Sequence, residues 1–136
     1  MFDAPYMTEE QSLLAKELVS AATFKWRPGM MRVHHCPGHL SHGHREGYYN
    51  GGYVFEHDVP DLADAATAGV LLSLLPLHQV QRQTLAWRVS YDSTWEKSIK
   101  VVDACTGSTI GEAAAKALLA LAETLTPMET LREALL

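Results

Sequence analysis

The spacing of apolar residues along the chain predicts three main helices. They cover about 9–21, the part of the segment 59–76 that follows its N-cap, and 109–125. Each begins at a side chain that can accept a hydrogen bond from a first-turn amide. These caps are Thr8 and Thr109, each in a capping box that ends in Gln11 or Glu112, and Asp64, with Asp61 as a competing cap. Thr126, followed by Pro127, predicts a separate short helix at the C-terminal end.

Alternation of apolar and polar residues predicts about four strands. They cover 24–35, with a Pro28–Gly29 type II turn inside it, 53–58, 84–91 and 95–103. Strands that follow one another directly favour antiparallel hairpins over parallel crossovers. The sequence therefore predicts an α+β fold, with two hairpins in one antiparallel sheet and the helices packed on one face of it.

Length and composition indicate a single domain over residues 1–136, with 34–52 as a histidine-rich loop within it. No apolar run is long enough to span a bilayer, the first residues lack the features of a signal peptide, and two cysteines make no disulfide framework. We therefore expect a cytoplasmic protein without a membrane partner. The net charge of −5 and the scattered basic residues disfavour direct nucleic-acid binding. A homo-oligomer stays open, since a sheet edge can pair with a second copy.

Three segments carry a resemblance to a known group of proteins. They read KWRPGM at 25–30, VPDLADAATAGVLLSLL at 59–75 and GEAAAKALLALAE at 111–123. Together they resemble a family of small uncharacterised proteins of tailed phages and prophages. The chain departs from that pattern at Ala65, where the family commonly has proline. The resemblance also implies that the histidine-rich loop at 34–52 lies in the variable part of the family layout.

The resemblance implies a phage or prophage origin and the cytoplasm of a bacterial host. It also implies a non-enzymatic accessory protein that binds a host or phage protein, a class that includes inhibitors of host defence. A role in virion assembly is a further alternative. No catalytic residue carries over from the family.

The segment HHCPGHLSHGH, residues 34–44, is the strongest candidate for metal chemistry. Zinc takes four cysteine or histidine ligands at short spacing, and the Pro-Gly turn could direct two of them to one ion. The candidate ligands are Cys36, His39, His42 and His44, with His57 as a replacement for one of them. Such a site would be structural or hydrolytic. The alternative is a polar solvent-exposed loop with no cofactor, because a second ligand pair from a separate segment is missing.

Catalytic motifs are weak by comparison. The His-x-Glu at 44–46 lacks the downstream Pro-Cys-x-x-Cys of zinc deaminases, and neither His-Glu-x-x-His nor a phosphate-binding glycine loop is present. Cys105 before the third helix is a candidate nucleophile or a small packing residue. Trp87 and Trp95 are expected in the core, with a role as partner anchors as the alternative. The sequence thus favours a non-enzymatic protein and leaves enzyme activity open.

Overall fold

The chain forms two small antiparallel sheets and three helices. A computed structural model describes residues 7–21, 24–35, 43–75, 78–92 and 102–135. The helices are α1 (Glu9–Ser20), α2 (Ala65–Ser73) and α3 (Ile110–Leu135). The strands are β1 (Met31–His35), β2 (Gly43–Tyr48), β3 (Asp58–Pro60), β4 (His78–Arg82), β5 (Trp87–Asp92) and β6 (Val102–Gly107). The predicted α+β class is confirmed.

The number and grouping of strands differ from the prediction of about four strands in one sheet. The described residues contain six strands, in a first sheet of order β2-β1-β3 and a second of order β4-β5-β6, with antiparallel neighbours throughout. β2 lies inside the segment 34–52 that the sequence predicts as a loop, and β4 has the polar sequence HQVQR. Both lie at the edge of their sheet in this part of the chain, where solvent contact removes the need for a strong apolar alternation.

The turn before β1 is the type II turn that the sequence predicts. The Met30 amide donates to the Arg27 carbonyl at 3.2 Å, and Gly29 has φ +98°, a backbone conformation that glycine adopts without strain. The predicted strand at 24–27 is absent. Phe24 and Trp26 instead meet edge to face, with ring centroids 5.6 Å apart, and pack against the core.

The capping box of α1 is confirmed. The Gln11 amide donates to Thr8 Oγ1 at 3.1 Å, and the Thr8 amide donates to Gln11 Oε1 at 3.0 Å. Gln11 is buried, and its Nε2 also donates to Ser108 Oγ at 2.9 Å. The cap of α1 therefore also joins this helix to the segment that precedes α3.

The start of α3 packs directly on the segment between β3 and α2. Thr109 caps the helix by accepting from the Glu112 amide at 3.1 Å, while its hydroxyl donates to the Leu62 carbonyl at 2.7 Å. The predicted reciprocal bond of Glu112 goes one residue further back, because its carboxylate accepts from the amide and hydroxyl of Ser108. A Cβ at Gly111 would lie 2.2 Å from the Leu62 carbonyl oxygen, so only glycine fits at this contact.

The separate C-terminal helix predicted from Thr126 is wrong, because α3 is continuous to Leu135. Alanine, leucine and glutamate lie on both sides of Pro127, and these residues favour the helix strongly. A proline costs the helix one backbone hydrogen bond and strains the preceding turn, which a helix can meet by bending rather than ending.

Two clusters of buried side chains form the core. The first joins α1, α2 and the first sheet through residues such as Leu18, Val33 and Leu71. The second joins α3 to the second sheet, with Val89 and Tyr91 buried under the helix. Leu72 of α2 and Leu118 of α3 pack against both clusters. These contacts make the core continuous between the two sheets.

Candidate functional site

Three buried aspartates occur at three-residue spacing in the segment DVPDLAD, at positions 58, 61 and 64. A buried carboxylate is costly unless it is hydrogen-bonded or paired with a cation. Each aspartate meets this requirement through side chains of the first sheet, Asp58 through β1 and the other two through β2. Asp61 and Asp64 therefore fix β2 against the start of α2, whereas Asp58 joins β3 to β1.

Asp64 is the predicted N-cap of α2, and the structure confirms this role. Its Oδ2 accepts from the amide of Thr67 at 2.9 Å and from the hydroxyl of Thr67 at 3.0 Å. Its Oδ1 accepts from the Tyr48 hydroxyl at 3.2 Å. This hydrogen bond and the negative charge of Asp64 raise the pKa of Tyr48 above its ordinary value of 10.0, because ionised Tyr48 would lose the bond and repel the carboxylate.

Asp61 forms the shortest ion pair of the three aspartates. Its Oδ2 accepts from Arg45 Nε at 2.7 Å and its Oδ1 accepts from the Ala63 amide at 2.9 Å. The Asp61 side chain is fully inaccessible, whereas about a third of the Arg45 side chain is exposed. Since Asp61 and Asp64 are satisfied in this way, their role is structural.

Asp58 has a different position, on the face of the first sheet that points away from the core. Val33 and Val59 are a directly opposed pair whose side chains point into the core, so the next pair, His34 and Asp58, lies on the opposite face. His34 Nδ1 lies 3.0 Å from Asp58 Oδ1. The second carboxylate oxygen accepts from the Phe55 amide at 3.0 Å.

A turn with two exposed aromatic side chains covers Asp58. Tyr53 is 74% exposed and Phe55 is 49% exposed, and their rings meet edge to face with centroids 5.1 Å apart. The Phe55 ring also contacts the ring of His34, with centroids 5.7 Å apart. Arg32 Nη1 donates to the Tyr53 carbonyl at 2.8 Å and lies 3.9 Å from Asp58 Oδ2. We call Arg32, His34, Tyr53 and Phe55 the aromatic face.

The aromatic face is suited to binding. Asp58 holds the turn at the Phe55 amide and Arg32 holds it at the Tyr53 carbonyl, so both aromatic rings have a fixed backbone. Apolar rings that are exposed and already ordered lose little conformational entropy when a partner covers them. An Asp–His pair can also orient a catalytic base, which then needs a nucleophile within hydrogen-bond distance. Among the described residues, His34 has no hydroxyl or thiol as a hydrogen-bond partner.

Only two of the five residues predicted as zinc ligands fall in the described part of the chain. His44 lies in β2, exposed and directly opposite His34 of β1, and His57 lies exposed in the turn before β3. Cys36, His39 and His42 lie outside the described residues. Within the described ranges, no three histidine, cysteine, aspartate or glutamate side chains are grouped so that they could hold a metal ion. The zinc hypothesis therefore stays a prediction.

Neither His34 nor Asp58 is among the ligands that the sequence predicts. The alternation of β1 contains a signal for His34, because the burial of Met31 and Val33 on one face places His34 on the other. Asp58 gives no such signal, since the sequence does not show which strand pairs with β3. The two residues come together only through the pairing of β1 with β3.

The remaining candidates from the sequence are Cys105 and two tryptophans. Cys105 lies in β6, opposite Val89, and packs half-buried against the second core cluster. Trp87 is half-buried on β5, and the Arg82 guanidinium lies 5.4 Å from its ring centroid. Trp95 lies outside the described residues.

In the described ranges, no helix has the length and apolar character needed to cross a lipid bilayer. Comparisons of the chain with models of protein families, with curated proteins and with solved structures give no significant match.

Proposed function

We propose that the protein is a non-enzymatic accessory protein of a phage or prophage that binds a host protein through the aromatic face. The phage origin rests on the resemblance of the segments at 25–30, 59–75 and 111–123. The class of proteins that inhibit a host defence component is the setting that this resemblance favours. The binding activity rests on a separate observation, the ordered display of Tyr53 and Phe55.

Interfaces between proteins concentrate their binding energy in a few aromatic and arginine side chains near the centre. Tyr53 and Phe55 adjoin each other, and Arg32 and His34 lie beneath them. Burying these two largely exposed aromatic side chains removes apolar area from water, which stabilises a complex by about 25 cal/mol per Å² of that area. The buried Asp58 orders the turn before the partner arrives, which reduces the entropy cost of binding.

The test begins with the identification of a partner. The full chain is expressed in a bacterial host and cross-linked in cells, and the captured host protein is then purified and its affinity measured by interferometry. We expect Tyr53→Ala and Phe55→Ala each to weaken binding by about 2 kcal/mol, which is about 30-fold. Leu85→Ala is the matched control, because Leu85 is 92% exposed and precedes β5 in the second sheet. We expect it to bind like the unmodified chain.

Two results would contradict the proposal. One is an affinity that stays the same in both aromatic variants while their melting temperatures match that of the unmodified chain. The other is a captured partner that is a virion protein or a second copy of the chain, which would favour an assembly role instead.

A further inference from the structure

Three residues form a row across the outer face of the first sheet. His44 of β2 is directly opposite His34 of β1, and His34 is directly opposite Asp58 of β3. Directly opposed residues in an antiparallel pair lie on the same face, with Cβ atoms about 4.5–5.5 Å apart. The backbone pairing therefore places the two imidazoles side by side on this face of the sheet.

The contact with Asp58 prepares His34 for a ligand. An ionised carboxylate can only accept hydrogen bonds, so Nδ1 of His34 carries the proton and donates to Asp58 across 3.0 Å. In the neutral ring, Nε2 then has the lone pair. Histidines that bind metals typically donate their other ring N–H to a carboxylate in this way, which fixes the tautomer and makes the ligating nitrogen more basic.

The Asp58 carboxylate is held in place by hydrogen bonds within the fold. Asp58 is buried, and its other oxygen accepts from the Phe55 amide at 3.0 Å, so its position does not depend on His34 alone. The side chain of His34 is 35% exposed, which leaves the ring accessible from solvent. The His34 ring thus has the buried Asp58 carboxylate at its Nδ1 and is partly open to solvent, from which an ion can approach.

We propose that His34 and His44 form a two-histidine chelate for a borderline divalent metal ion, Zn²⁺ above all, with Asp58 as the carboxylate that orients His34. Imidazole nitrogen suits zinc, which binds it at about 2.0–2.1 Å and accepts water in the remaining positions. This ligand set differs from the one predicted from the histidine-rich segment, because it includes His34 and needs neither Cys36 nor His57. It also does not rest on the proposed protein interaction, since neither Tyr53 nor Phe55 is a ligand.

The test is calorimetric titration of the full chain, purified without a histidine tag, with zinc chloride. We expect His34→Ala and His44→Ala each to weaken zinc binding at least tenfold, and Asp58→Asn to weaken it about tenfold through loss of the orienting charge. His57→Ala is the matched control, because it removes an exposed imidazole beside Asp58 that is outside the row. We expect this control to leave the affinity unchanged.

A second measurement covers the case in which Asp58→Asn does not fold, as judged by circular dichroism. In ¹⁵N NMR of the imidazole rings, zinc should shift Nε2 of His34 much more than Nδ1. The proposal is overturned if the unmodified chain binds no zinc, or if His34→Ala binds it as tightly as the unmodified chain does. In the latter case, the combined replacement of Cys36, His39 and His42 by alanine would show whether the ligands predicted from the sequence bind the ion instead.

Discussion

Replacing Thr67 by valine removes one hydroxyl from a fully buried position of α2 and nearly keeps the shape of the side chain. That hydroxyl accepts from the Met31 amide at 2.8 Å and donates to Asp64 Oδ2 at 3.0 Å. It thus joins the cap of α2 to the first residue of β1, 36 positions earlier in the chain. Valine cannot make either bond, whereas serine can make both.

The loss of these contacts determines how far Thr67→Val lowers the free energy of unfolding. The Met31 amide is left buried without its partner in Thr67→Val, which costs about 1–3 kcal/mol, and the bond to the charged Asp64 is lost as well. The added methyl group returns about 0.8 kcal/mol, so we expect a net loss of about 2 kcal/mol in the free energy of unfolding. Thr67→Ser removes only a methyl group and should cost about 1 kcal/mol.

Urea denaturation, monitored by circular dichroism, measures the difference in the free energy of unfolding between the two variants. With a denaturant slope of about 2 kcal/mol per M, Thr67→Val should lower the midpoint by about 1 M without a change in slope. Hydrogen exchange should also be faster at the Met31 amide in Thr67→Val than in Thr67→Ser. If valine is tolerated as well as serine, the hydroxyl does not stabilise Met31 and the reasoning about this contact is refuted.

Two further predictions concern the start of α3 and the edge of the first sheet. Gly111→Ala should destabilise the fold by about 3 kcal/mol, since the added Cβ would clash with the Leu62 carbonyl. Gly69→Ala should stabilise the fold by up to about 1 kcal/mol, because no atom lies near the added Cβ and alanine favours the helix. Thermal unfolding of both variants checks this, and equal melting temperatures would contradict it. The folded protein raises the pKa of Tyr48. The hydrogen bond from Tyr48 to Asp64 therefore contributes fully to the free energy of unfolding below pH 10.0, and this contribution is lost as the pH rises through the folded pKa. The unfolding free energy should therefore fall more steeply above pH 10.0 in the unmodified chain than in Tyr48→Phe, and parallel curves would show that Asp64 does not perturb this group.

The features that the sequence predicts correctly are local. The caps at Thr8, Asp64 and Thr109 each accept from an amide three residues further along the chain, so a short window contains both partners. The type II turn at Pro28–Gly29 is also local, because it depends on the backbone preferences of two adjacent residues. The α+β class follows from the order of these elements.

The candidate site depends on contacts between residues that are far apart in the sequence. His34 and Asp58 are 24 residues apart, and Arg45 and Asp61 are 16 apart. The sequence predicts Cys36, His39, His42 and His44 as zinc ligands because those residues lie within nine positions of one another. The described residues instead show that His34 has the buried carboxylate beside it, and the sequence contains no pattern for that pairing.

The sequence by itself determined where the helices begin, which face of β1 is apolar, and the α+β class, because hydrogen bonds and periodicities within a few residues decide these features. Only the tertiary structure decided that the strands divide into two sheets, that α3 continues past Pro127, and which partners the buried aspartates have. The physical reason is that strand pairing is set by the total packing of the core. Polar edge strands such as β2 and β4 contribute little apolar pattern of their own, so their positions follow from the strands and helices that pack beside them.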